Sequence, residues 1–254
     1  MVAQKFIQVG TLSRALLGCV LSALFAAPVL AGDVIGDVTE PDVIAPKTDA
    51  WDYGGFYLGA SAGYGFGGTD DFGLTTATDR FPIGELELSG GYGGLRGGWR
   101  NSLPTIGGRD YVFGFELGYD FGTLDDSVSS PVGSTTIDAG SSVSDVLSIR
   151  FRNGITNRSR SILYFVSFGY ASADVTTSLD LDSGLSSRSF EDSGNRGGFT
   201  ASLGLEHWIN ENWSITGEYE YFQFDSETID FGSGFSTKST PKYQGVRVGL
   251  NYSF

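Results

Sequence analysis

Nine charged side chains recur at even spacing inside segments otherwise made of Gly, Ser, Thr and apolar residues: Arg96, Glu116, Asp120, Arg150, Arg152, Glu206, Glu218, Glu220 and Arg247. On an extended chain, residues two or four apart share a face. Arginine facing carboxylate makes charge-assisted, often bidentate hydrogen bonds, which hold structure rather than turn over a substrate. Catalysis asks for a nucleophile or base in reach of a substrate. His207 is the only histidine and Cys19 the only cysteine. His207 sits beside Trp208 on the apolar side of its segment with no convergent serine and carboxylate, so it reads as an interface residue. The glycine repeats do not open a helix and are not phosphate cradles. Asp70-Asp71 or Asp180 with Asp182 could ligate a hard cation, or bridge to lipopolysaccharide through one, but no stretch has a complete calcium-site spacing. No catalytic, cofactor-binding or metal set is expected, and the chain does not read as an enzyme.

The elements that carry these charges alternate with period two, the strand signature. The clearest is the tail: Val246, Val248, Leu250, Tyr252 and Phe254 oppose Gly245, Arg247, Gly249, Asn251 and Ser253. Similar segments cover Gly55 to Gly67, about Leu88 to Arg100, Tyr111 to Phe121, about Val146 to Ile155, Ile162 to Ala173, Gly198 to Trp208 and Trp213 to Phe224. With the tail they number eight, each near the ~9–11 residues a tilted transmembrane strand needs. The gaps between them alternate: 68–87, 122–145, 174–197 and 225–241 are long, whereas 101–110, 156–161 and 209–212 are short. Long loops outside and short turns in the periplasm are the outer-membrane pattern. The fold expected is an all-β, eight-stranded antiparallel up-and-down transmembrane barrel over 53–254.

The N-terminus agrees with export. Lys5 and Arg14 precede an apolar run from Ala15 to Leu30, and Val29-Leu30-Ala31 resembles a cleavage site, so residues 1–31 read as a signal peptide cut after Ala31. Cys19 follows Arg14 too closely for a lipoprotein leader. Residues 32–52, with Pro41, Pro46 and six aspartates or glutamates, read as an acidic periplasmic linker. The mature chain would hold 14 basic against 30 acidic residues, a charge of −16. That balance excludes nucleic acid held through phosphates.

Two features set the apolar face against lipid rather than into a soluble core. The polar face is mostly Gly, Ser and Thr, and no Lys falls inside the eight segments. Aromatic residues also gather at strand ends as they do at membrane interfaces. Trp51, Trp99, Trp208, Trp213, Tyr252 and Phe254 form the expected periplasmic girdle, opposite Tyr64, Phe66, Tyr119, Phe121, Tyr170 and Tyr221. The nine charges then share a lumen only wide enough for side chains. They should pair, with Glu116 meeting Arg150 or Arg96 and Glu218 meeting Arg247, and plug it. A small diffusion porin or gated channel is the alternative. Val246, Val248, Leu250, Tyr252 and Phe254 also read as the assembly signal.

Several stretches resemble a known family: Trp51 through Gly65 (WDYGGFYLGASAGYG), Val112 to Gly118 (VFGFELG), Asn210 to Ser214 (NENWS) and the tail GVRVGLNYSF. They resemble the small outer-membrane barrels of alphaproteobacteria known as outer-membrane immunogenic or porin-family proteins, related in form to OmpA- and OmpX-type barrels. The resemblance implies envelope integrity, surface exposure and antigenicity, with pore activity in some members, and no catalytic residue. The partners expected are outer-membrane lipid, lipopolysaccharide and the barrel-assembly machinery, for a monomer without cofactor.

Overall fold

Every segment that alternates in the sequence becomes strand, because alternation lets one face meet an apolar solvent and the other a packed interior. The computed structural model describes residues 51–68, 70–75, 80–232 and 235–254; the expected signal peptide and most of the linker lie outside them. Twelve strands occur among the described residues: β1 Gly55–Phe66, β2 Asp70–Thr75, β3 Arg80–Leu86, β4 Gly90–Pro104, β5 Asp110–Val132, β6 Thr135–Thr156, β7 Ile162–Asp182, β8 Ser187–Trp208, β9 Trp213–Phe224, β10 Glu227–Gly232, β11 Phe235–Ser239 and β12 Lys242–Ser253. Eight of them close into an antiparallel barrel in the order β1-β12-β9-β8-β7-β6-β5-β4. The first and last strands form the seam, with Leu58 opposite Tyr252 and Ala60 opposite Leu250. Phe56, Leu58, Leu95, Leu117, Ile149, Val166, Leu203 and Val248 point outward and are exposed.

The four long gaps depart from the loops expected of them. Residues 122–145 and 174–197 are largely strand, so β5 to β8 run to 21–23 residues each. Since a bilayer takes ~9–11, these hairpins stand well beyond it. Their Ser, Thr, Gly and Asp side chains resemble loop composition, but main-chain pairing with a neighbour does not depend on apolar alternation. The other two gaps supply β2, β3, β10 and β11, which form a separate four-stranded sheet in the order β10-β11-β2-β3. This sheet is tied to the hairpins where Ser89 bridges Asp125 and where the Glu87 N–H donates to Asp126 at 2.6 Å.

A bulge at Asp145, with φ of 50°, shifts the register between β6 and β7. Below it Arg152, Arg150, Ser148 and Val146 are buried; above it the buried set is Val143, Ser141, Ala139 and Ile137. The Tyr119 hydroxyl donates to Asp145 at 2.6 Å beside the bulge.

Four groups of side chains fill the interior. An apolar cluster of Tyr53, Val112, Leu163, Phe165 and Trp208 occupies the end where both described termini lie. The charged residues follow. Above them are Leu88, Tyr92, Leu124, Val143, Phe222, Phe224 and Tyr243 with their neighbours. Leu86 and Ile229 of the small sheet then pack with Ile137, Ala139 and Leu179 of the hairpins.

Candidate functional site in the barrel interior

Period two sends alternate residues of each strand inward, and the charged residues are carried there by β4 (Arg96), β5 (Glu116, Asp120), β6 (Arg150, Arg152), β8 (Glu206), β9 (Glu218, Glu220) and β12 (Arg247). All nine are buried. Arg100, two turns of the pleat beyond Arg96, is buried with them. Five guanidinium groups therefore face five carboxylates in this tier. The sequence carried the signal for Arg100, since it has the same parity as Arg96, but glycines on both sides blur the alternation of β4.

Glu220 is the hub. It accepts from Arg96 at 2.9 Å, Arg150 at 2.7 Å, Arg247 at 2.8 Å and the Tyr92 hydroxyl at 2.9 Å. Glu218 accepts from Arg152 at 2.6 Å and from Arg96 at 3.1 Å. Glu116 accepts from Arg96 at 2.9 Å and the Tyr57 hydroxyl at 2.7 Å. Arg247 clamps Asp120 with two bonds of 2.6 Å, and its Nη1 also reaches Ser61 at 2.9 Å. Arg100 holds Glu206 at 2.8 and 2.9 Å and donates to Ser253 at 3.0 Å. Charge-assisted and bidentate bonds of this length are the strong class.

One pairing differs from that expected. Arg247 stands opposite Glu218 in the β12–β9 register, yet its guanidinium reaches Asp120 and Glu220. Of the two partners expected for Glu116, the one opposite it in register, Arg150, bonds elsewhere, and Arg96 on the adjacent β4 makes the bond. Register places only Cα atoms, whereas a guanidinium at the end of a long flexible stem can cross a narrow lumen to strands that are not its neighbours.

Aromatic rings complete the packing around the cations. Arg152 lies 3.7 Å from the Phe165 ring centre, Arg247 4.7 Å from Tyr92 and Arg150 5.3 Å from Phe222. Arg100 lies 4.7 Å from Tyr57, 5.1 Å from Tyr53 and 5.7 Å from Trp208. Guanidinium over an aromatic face is favourable, the more so away from water.

That last arrangement corrects the expected girdle. Trp208 is only 4 % exposed, and Trp51 is half-buried and stacked on it at 5.9 Å. Both belong to the interior cluster at the barrel mouth. The parity of β8 explains the first: Leu203 and Leu205 point outward, so Glu206 and Trp208 point in. Trp51 precedes the first strand, where alternation gives no direction. Tyr53 follows it into the mouth, and burial reinforced by the Glu206 carboxylate pushes its phenol well above the ordinary value. Trp99, Trp213 and Phe254 are exposed, and Tyr252 lies 5.1 Å from Trp213 and 5.2 Å from Phe254 in edge-on contacts. His207 is exposed on the outward face, with its ring Nδ1 3.1 Å from the Ser161 carbonyl.

A closed eight-stranded barrel with an apolar exterior and a charged interior has a counterpart in sequence. Residues 17–254 match the family described as outer membrane protein beta-barrel domain. The chain belongs to this family of outer-membrane β-barrels. It is 28 % identical over 240 residues to the 31 kDa outer-membrane immunogenic protein of Brucella melitensis, covering 92 % of this chain and 97 % of that protein. The protein of the same description from Brucella suis matches to the same extent. Among solved structures, the outer membrane protein OprG from Pseudomonas aeruginosa covers 81 % of this chain and 98 % of its own, with a TM-score of 0.50 at 11 % identity. Neisserial surface protein A covers 78 % of this chain and 97 % of its own, with a TM-score of 0.39 at 12 % identity. At these identities the likeness concerns the fold alone. The protein is thus an outer-membrane barrel, and the outward apolar residues of its strands are its lipid face.

Proposed function

We propose that this protein is a structural, surface-exposed outer-membrane barrel with a closed lumen, contributing to envelope integrity and surface interaction, and that it is not an enzyme. The observation that carries the reading is the neutral tier of five arginines and five carboxylates lying between two apolar clusters. A solute crossing the barrel would have to separate buried ion pairs and displace aromatic side chains on both sides of them. Breaking one buried pair costs about 3–5 kcal/mol, and the hub joins several. Purified protein in planar bilayers should show no sustained conductance; steady open current would overturn the closed-lumen reading.

A gated diffusion path is the second reading. Arg150 and Arg152 each keep guanidinium N–H groups without a hydrogen-bond acceptor among the described residues. Spare donors let a carboxylate exchange partners, so brief openings in the same recordings would favour this reading.

The remaining assignments complete the proposal. Residues 1–31 act as a signal peptide cut after Ala31, 32–52 as the linker and 53–254 as the barrel. Lipid and lipopolysaccharide surround a barrel that is monomeric in the plane of its membrane, without cofactor or nucleic acid. Trp99, Trp213, Tyr252 and Phe254 anchor its periplasmic rim. Val246, Val248, Leu250, Tyr252 and Phe254 are the stripe read by the assembly machinery.

A further inference from the structure

Above the barrel, the edge of β8 that faces away from β7 is self-complementary. We propose that it pairs antiparallel with the same edge of a second copy carried by a facing membrane, so that the protein joins two membranes. The proposal rests on the reading that the long hairpins face outward from the cell.

The free edge can be read from the hydrogen bonds. β7 pairs with β8 along its whole length, from Ser187 to His207, whereas β9 pairs with it only from Gly198 to Trp208. The Gly197 carbonyl accepts from Asp225 at 2.8 Å, so Gly197 turns its main chain toward the β9 side. Trp208, of the other parity, gives its N–H to Ser161 on the β7 side at 3.1 Å. In an antiparallel ladder this direction alternates residue by residue. Ser187, Ser189, Glu191, Ser193 and Asn195 therefore aim their N–H and C=O groups away from β7. All five are exposed; β10 comes alongside on this side, with its Glu227 meeting Arg196 at 3.0 Å, but its ladder is with β11, and no named strand pairs with the five there among the described residues. A protruding row of such groups is a template for another strand.

The side chains select the partner and the register. Two-fold pairing centred on Phe190 sets Ser189 against Glu191 and Ser187 against Ser193 as the hydrogen-bonded pairs. It also sets Arg188 against Asp192, twice, in the closer non-bonded pairs. Both residues are exposed. Opposite charges directly across a ladder are favourable and like charges are not. Centring one residue further along would place Glu191 against itself, and two further would place Asp192 against itself. Phe190 does not need to move: it packs inward against the cluster of Leu86, Ile137 and Leu179, and its parity directs its main chain toward β7.

Orientation decides where the pairing can occur. β8 descends from the hairpin tip toward the membrane, so an antiparallel partner must ascend. Two copies standing the same way up in one membrane cannot meet like this; two in facing membranes can. The edge spans nine residues from Ser187 to Asn195, about 30 Å at ~3.3 Å per residue. One such contact is small, but many copies on two surfaces act together.

The test uses the full protein, refolded into phosphatidylcholine vesicles of two dye colours, with co-clustering read by two-colour fluorescence. Wild-type vesicles should cluster, and Glu191→Pro, which removes a central N–H, should not. Arg188→Asp and Asp192→Arg should each lower clustering about tenfold, since two charge pairs turn from attractive to repulsive. Mixing vesicles of these two variants should restore it, because the populations then carry opposite charges at both positions. Dispersed wild-type vesicles, single variants that cluster like wild type, or no gain on mixing would overturn the proposal. Labelling of Leu185→Cys with an impermeant maleimide on intact cells tests the outward orientation separately. Labelling without vesicle clustering would sink the pairing alone, and no labelling would sink the orientation.

Discussion

Replacing Glu220 with Gln removes one negative charge from the hub while keeping the shape of the side chain. In the wild-type barrel three guanidinium groups lie 2.7–2.9 Å from its oxygens. With charge centres ~4 Å apart and an effective dielectric near 20, each pair is worth about 4 kcal/mol of attraction, or about 12 kcal/mol for three. Two terms reduce this. The buried carboxylate gives back a desolvation cost of several kcal/mol, and Arg96 and Arg247 retain Glu116, Glu218 and Asp120 as partners. The amide also turns an N–H toward a cluster of donors. The net loss expected is about 3–5 kcal/mol, the range for breaking a buried pair. The assay is a urea titration of protein refolded into lipid vesicles, followed by tryptophan fluorescence. Glu211→Gln serves as the control: this carboxylate is exposed in the short turn between β8 and β9. It should cost no more than about 1 kcal/mol. A second variant, Glu220→Gln with Arg150→Met, restores neutrality and should recover part of the loss, a coupling that double-mutant cycles measure. If Glu220→Gln cost no more than the control, the hub would not be holding the barrel together and the reasoning would fail.

Three further outcomes follow from the same geometry. Arg247→Ala should destabilise the barrel by about 3–5 kcal/mol, since it strands buried Asp120, and the same urea titration measures it. Gly114→Ala should abolish refolding, because a methyl group there would lie 2.1 Å from the Trp99 carbonyl oxygen, whereas Gly217→Ala meets nothing within 4 Å and should refold normally; the band shift of unheated samples on gels separates the two. Phe254→Ser, at a residue 72 % exposed at the end of the closing strand, should lower the yield of assembled protein in cells; normal yield would remove Phe254 from the assembly signal.

The alternation of Tyr111 to Phe121 or of Gly245 to Phe254 is a local property, legible without any partner. It settles which residues look outward and which look inward, and so it places Arg96, Glu116, Glu218 and Arg247 in one lumen. The same parity was available for Arg100 and Trp208, but the glycines that precede Arg100 in β4 hid the first and the rule that tryptophan marks an interface misled for the second. The upper hairpins were not legible at all. In Ser141, Ser142 and Thr176, Thr177 the side chains say loop, while the strand is made by main-chain bonds to a neighbour far along the chain.

Neighbouring strands offered Arg96 as one partner for Glu116, but partner choice across the lumen belongs to the tertiary structure. Arg247 and Glu218 are neighbours in register, yet the guanidinium bonds to Asp120 across β1 and β4 and to Glu220 one step along β9. The sequence by itself determined the fold class, the lipid face and nearly all of the charged set, because period two is a one-dimensional signal. Only closure of the ring decided who pairs with whom, because strand tilt and the reach of long side chains exist only once eight strands surround a common space.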